Sequence, residues 1–122
     1  MSKLYHPVSV EEWTKALRSG EYKQSRSVLH CDAGFCCLGV LAHISKVPRK
    51  PYQPTARHSY PGTQEYNFGD IKLYGIIPDR WSVELGLTAS DISNLIRKND
   101  AGVPFNEIAD MIEDMVKKNQ EQ

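Results

Sequence analysis

The chain has 122 residues, 40% apolar and 25% charged, with 15 Lys and Arg against 15 Asp and Glu. That is the size and composition of one globular domain spanning residues 1–122, which excludes disorder, collagen-like repetition and a heptad fibre. No stretch approaches the ~18–20 apolar residues that cross a bilayer, and Met1 to Pro7 lacks the apolar run of a signal peptide, so a cytoplasmic protein without a membrane role is expected.

Val8-Ser9-Val10-Glu11-Glu12-Trp13 reads as a helix start. Ser9 can accept the Glu12 amide and Glu12 can return the bond, a capping box, with Val8 and Trp13 placed as a hydrophobic staple. The helix is expected over residues 10–19, ended by Gly20. Ser27 to Cys31 reads as extended, followed by a turn at Asp32-Ala33-Gly34. The apolar run from Phe35 to Val47 predicts a buried helix from about Cys36 to Ser45, although Phe35-Cys36-Cys37 can also be extended. Residues 48–64 carry four prolines and no periodicity, and predict a long loop.

Tyr66 to Tyr74 alternates about a Gly69-Asp70 turn, as a small hairpin does. Pro78 opens a short helix carrying Trp81 and Leu85 and closed by Gly86. Thr88 with Asp91 caps a helix running to about Lys98, and Asn99-Asp100-Ala101-Gly102 breaks it. Pro104 begins the last helix, where Phe105, Ile108, Ala109, Ile112 and Met115 recur at helical spacing; the tail after Lys118 is expected to fray. The chain therefore reads as mostly α (α+β), one domain of four to five helices with a small β-hairpin element. Its expected core is Trp13, Leu17, Leu38, Leu41, Trp81, Leu85, Leu95, Phe105, Ile108 and Ile112.

Charge is unevenly spread. Residues 33–64 hold Lys46, Arg49, Lys50 and Arg57 with no acid, whereas residues 99–122 hold six acids against Lys117 and Lys118. Cysteine usage points to reduced thiols, since three is an odd count and no secretory signal precedes them. Cys36 or Cys37 at a helix start would feel the positive end of the dipole and, with His30, His43 or His58 as base, could serve as a nucleophile. The plainer reading makes both small core hydrophobes, and neither is taken as catalytic. One Cys-x4-Cys-Cys cluster without a second pair of ligands is a poor metal site, so no metal and no cofactor is expected.

A DNA-reading motif is disfavoured. Phe105-Asn106-Glu107-Ile108-Ala109 looks like the first helix of one, but no basic second helix follows and the exposed face is acidic. Candidate binding residues lie in the Pro-rich loop, where Arg49, Lys50, Arg57 and His58 accompany Tyr52 and Tyr60; cations beside aromatics suit stacking on bases and holding phosphates, whether of a nucleotide or a strand, and the plainer reading is a solvated loop whose tyrosines lean on the core.

Four stretches also carry a resemblance. Ala16-Leu17-Arg18-Ser19-Gly20-Glu21-Tyr22-Lys23-Gln24, Phe35-Cys36-Cys37-Leu38-Gly39-Val40-Leu41, Leu85-Gly86-Leu87 and Asn99-Asp100-Ala101-Gly102-Val103-Pro104-Phe105 running into Ile108-Ala109-Asp110 resemble a family of small uncharacterised proteins of tailed bacteriophages and prophages. The resemblance implies an accessory product in the bacterial cytoplasm that binds a host protein or sequesters a small molecule such as a nucleotide, as a counter to host defence. Within those stretches Arg18, Tyr22 and Gln24 join the candidate ligand contacts, Tyr22 and Gln24 facing the Cys36–Cys37 segment either as a polar pocket or as partners for buried carbonyls. The competing functions are a cysteine-nucleophile enzyme and, third, a DNA-binding regulator.

Overall fold

The computed structural model describes residues 3–52 and 60–121. Helix α1 (Val10–Arg18) starts where Ser9, in extended conformation, accepts the Glu12 amide at 3.1 Å. The reciprocal half of the box is missing: the Glu12 carboxylate meets the Ser9 hydroxyl at 3.4 Å instead of its amide. The helix closes a residue earlier than the sequence suggests, because the Ser19 amide and hydroxyl both return to the Ala16 carbonyl. Its inner face, Trp13, Thr14 and Leu17, is buried, and the Trp13 indole donates to the Cys37 carbonyl at 3.0 Å.

The extended segment before Asp32 is shorter than expected. Ser27 has a left-handed φ of 69°, and only β1 (His30–Cys31) pairs with β2 (Gly34–Phe35), around Asp32-Ala33. Residues 23–25 run alongside β2, where the Phe35 amide donates to the Lys23 carbonyl and the Ser25 amide to the Phe35 carbonyl. Helix α2 (Cys37–Ile44) follows with Cys36 as its N-cap and Ser45 as its C-cap. Gly39 in its first turn lies so close to β1 that a Cβ there would stand 1.6 Å from the Leu29 carbonyl oxygen.

The Pro-rich loop is a correction. Both ends of residues 48–64 enter a three-stranded antiparallel sheet, β3 (Arg49–Pro51), β4 (Gln64–Asn67) and β5 (Lys72–Leu73), in the order β3-β4-β5. Arg49 faces Tyr66, Lys50 faces Glu65 and Pro51 faces Gln64. The prolines are no obstacle, since an edge strand tolerates a missing amide at its end. The expected hairpin at Tyr66–Tyr74 forms between β4 and β5, with the Gly69 amide donating to the Asn67 side chain in the turn.

Helix α3 (Asp79–Leu85) opens after Pro78 and closes on left-handed Gly86, as read from the sequence. Helix α4 (Ala89–Asp100) carries a complete capping box, Thr88 and Asp91 exchanging two bonds of 3.0 Å. It extends two residues beyond Lys98, because the Asn99 side chain is drawn into the interior rather than used to break the helix. Helix α5 (Phe105–Gln120) likewise outlasts the predicted fraying point: the Asn119 amide donates to the Gly86 carbonyl at 2.7 Å and to Asp91 at 3.0 Å, fastening the last turn.

Helix α1 packs on α2 and α5, and α4 packs on the same two. All ten residues expected in the core are buried. At about 1.5–3 kcal/mol for each large apolar side chain removed from water, these contacts dominate the fold. The N-terminal strap is tied to α3 by the Tyr5 carbonyl, which accepts from the Trp81 indole (2.8 Å) and from Arg80 (2.6 Å). No described helix is long and apolar enough to cross a membrane.

Candidate functional site

Three of the four resemblance-bearing stretches meet at Asn99, which is fully buried. Its Oδ1 accepts from the Cys37 amide (3.1 Å) and from Gln24 Nε2 (3.0 Å), and its Nδ2 donates to the Ser25 carbonyl (2.8 Å). Gln24 Nε2 also donates to the Val103 carbonyl at 2.8 Å, and Asp100 accepts the Ser27 amide at 3.0 Å. Gln24 Nε2 is thus a partner for interior groups, the second of the two roles read from the sequence. Among the described residues no buried side-chain polar atom lacks a partner.

Cys36 and Cys37 are equally inward. Cys36 Sγ accepts the Gly39 amide at 3.3 Å, a sulfur standing where helices usually carry Ser or Asp. Helix-end charge and that bond favour thiolate, but burial is the larger effect and pushes the Cys36 thiol up to about 11. Cys37, also buried, is raised well above the ordinary thiol range for the same reason. His30 does not address either sulfur: its Nδ1 faces the Tyr66 hydroxyl (3.1 Å) and Arg49 Nη1 (3.3 Å).

Those last contacts belong to a cluster of rings where β1, β2, α2, β3 and β4 meet. The His30 imidazole stacks on Phe35 at 3.9 Å and 15°, and His43 lies 5.1 Å from Phe35 and 6.0 Å from His30. Tyr22 closes the row edge-on, 5.4 Å from Phe35 and 6.0 Å from His43. Tyr22, His30, Phe35 and His43 are half-buried and Tyr66 is fully buried beneath them. Arg49 is exposed at the rim, and no carboxylate among the described residues pairs with it.

Local chemistry explains how each ring is held. The two-residue turn at Asp32-Ala33 sets His30 opposite Phe35 in register, and β3–β4 pairing sets Arg49 opposite Tyr66. His43 lies on the last turn of α2. Desolvation lowers the His30 imidazole to about 4, with Arg49 and His43 adding to the effect and Asp32 opposing it. His43 is lowered by desolvation and then by Arg49. Burial pushes the Tyr66 hydroxyl up to about 12. Near neutral pH the cluster therefore offers two uncharged imidazoles, a protonated phenol and one permanent cation.

A family model described as a domain of unknown function (DUF8296) matches residues 9–116. The chain belongs to this family. No curated protein and no solved structure matches it. The matched span includes the Asn99 hub and the whole ring cluster.

Of the candidate ligand contacts, only Tyr22 and Arg49 come together in this cluster. Arg18 is already paired: its guanidinium holds both Glu113 oxygens (2.7 and 3.1 Å) and Asp110 on α5, in a groove that Lys15 also lines. Tyr52 stacks on Tyr74 at 4.3 Å, and Lys50 stands 3.9 Å from Glu65. Arg57 and His58 lie outside the described residues. From the sequence His30 and His43 read as bases for a thiol or as ligands of a poor metal site, and Phe35 as part of an apolar run. The missed signal was that all three, with Tyr66, are aromatic residues at strand or helix positions near the basic segment. Next to the cluster, Pro48, Arg49, Lys50, Glu65, Asn67 and Lys72 line a shallow groove of about 160 Å³, three cations against one acid. Among the described residues no three His, Cys, Asp or Glu side chains gather as metal ligands.

Proposed function

We propose that the chain acts by binding, and that its ligand is an anionic small molecule carrying a flat ring, of the nucleotide class. One observation carries this reading: Arg49 stands without a carboxylate partner among the described residues at the edge of four half-buried rings. A guanidinium is always charged and presents a planar fork suited to phosphate. Aromatic faces beside it suit a base, at about 1–3 kcal/mol per stacked ring. The groove with Lys50 and Lys72 extends the positive rim. The buried, protonated thiols favour this reading over a cysteine nucleophile, because a nucleophile needs thiolate and access. The resemblance to small bacteriophage proteins supplies the setting we attach to it, an accessory protein of the bacterial cytoplasm that withholds such a molecule from host defence.

The test is calorimetric titration with 5′-AMP, adenosine and ribose 5-phosphate. AMP should bind more tightly than either half, and its affinity should fall as salt rises. Arg49→Ala should weaken AMP about tenfold or more, the loss of a hydrogen bond to a charged group. No binding of AMP, or equal affinity in the variant, overturns the reading.

A further inference from the structure

We propose that Arg49 and His30 form a proton-linked latch on this site: a phosphate monoester draws the Arg49 guanidinium off His30 Nδ1, and a proton takes the vacated position. The latch rests on the anion-binding reading above. Its basis is the shared nitrogen, 3.3 Å from Arg49 Nη1 and 3.1 Å from the Tyr66 hydroxyl. A guanidinium can only donate, so His30 accepts at Nδ1 and carries its hydrogen on Nε2. An imidazolium would set N–H against N–H and cation against cation. Docked Arg49 and protonated His30 therefore exclude each other.

Ring rotation offers no easy escape, because His30 is stacked on Phe35 and flanked by His43 and Tyr66. The groups facing it are Asp32 on the hairpin turn, His43 on α2, Arg49 on β3 and Tyr66 on β4. Asp32 alone favours the imidazolium; burial, Arg49 and His43 outweigh it and keep the His30 imidazole uncharged in the free site. An arriving phosphate reverses this balance. Arg49 turns to the anion, the Tyr66 hydroxyl rotates from donor to acceptor, and Nδ1–H forms opposite it. The released guanidinium and the new imidazolium together carry two positive charges. A phosphate monoester, at about −1.5 to −2 near neutral pH, matches them, whereas a diester with one charge leaves a cation uncompensated.

Two measurements test the latch. In the protein without ligand, the imidazole C–H resonances are followed against pH in wild type and Arg49→Gln. The His30 midpoint should lie well below the ordinary histidine value and move up towards it in the variant; a midpoint that does not move overturns the latch. Titration with 5′-AMP at pH 6 in two buffers of different ionisation enthalpy then counts protons. At saturating AMP, wild type should take up about one proton more per bound ligand than His30→Asn, whatever affinity that variant retains, and the excess should persist in His43→Asn; the phosphate's own proton, about half ionised at pH 6, cancels in the comparison. Cyclic 3′,5′-AMP, a diester, should bind at least tenfold more weakly. Equal proton uptake by wild type and His30→Asn on binding AMP overturns the latch and leaves the ligand reading standing, whereas no binding of AMP to wild type overturns both.

Discussion

The Asn99 hub and the ring cluster attach to neighbouring residues of one short stretch, Cys37 and Phe35, yet they are opposites in completeness. Around Asn99 the side-chain oxygen takes two donors and the side-chain nitrogen reaches a carbonyl, all inside the protein. Both polar atoms of the Asn99 side chain are thereby engaged. In the ring cluster His30 shares one nitrogen between two neighbours, and Arg49 keeps most of its donors facing solvent. A saturated polar network fixes a fold, because any member left unpaired in the interior costs about 1–3 kcal/mol. An unsaturated one at the surface retains the capacity to recognise something else. Of the polar residues in the resemblance-bearing stretches, Gln24 and Asn99 thus serve architecture, whereas Tyr22 belongs to the ring cluster in which we propose that binding takes place.

The sharpest way to break both regions at once is Gly39→Ala. The added Cβ would meet the Leu29 backbone carbonyl, which cannot swing aside as a side-chain end can. It would force α2, with Cys37 and His43, away from β1, with His30. A loss of about 3 kcal/mol or more in chemical denaturation is expected, with AMP binding lost as well.

Asn99→Ala separates the two regions. It strips partners from the Cys37 amide, the Ser25 carbonyl and Gln24, and should cost about 3 kcal/mol. Binding measured well below the variant's melting temperature should change little. A large loss of affinity in a folded Asn99→Ala protein would mean that the hub is part of the ligand site.

Acid sharpens the contrast from the other side. His30 is lowered when folded, so the unfolded chain takes up its proton first. The stability this group contributes is complete above its unfolded value of about 6.5 and is lost as pH falls towards 4. For a half-buried ring the loss should be about 1–2 kcal/mol over that window, seen as a falling denaturation midpoint and diminished in His30→Asn. Smallest in stability is Arg49→Ala, expected within about 0.5 kcal/mol of wild type because the side chain is exposed. The same variant is the one that should lose the anion. Opposite behaviour of Asn99→Ala and Arg49→Ala, one unstable and binding, the other stable and not binding, is the signature of the division drawn here.

By itself the sequence determined what depends on near neighbours and on period. Ser9 before Val10, Thr88 with Asp91, Pro78, Gly86 and Pro104 set helix ends because caps act across three or four residues. The helical recurrence of Phe105, Ile108 and Ile112 named buried positions because one face of a helix must leave water. Local signals misled where a distant partner intervened. Asn99 looks like a breaker and Asn119 like a fraying end until Cys37, Gly86 and Asp91 arrive to bond them. Only the tertiary structure decided which charges were already paired and which were available. Arg18 and Arg49 are both candidate anion contacts in the sequence, but α5 brings Glu113 to the first from 95 residues away, whereas β3 carries the second to His30 and, among the described residues, to no carboxylate partner. The thiols follow the same logic: helix-end position, legible in the sequence, favours ionisation, but desolvation is set by everything packed around Cys36 and is the larger effect. Pairing and burial depend on which surfaces meet, and residues far apart in the chain carry no local mark of that meeting.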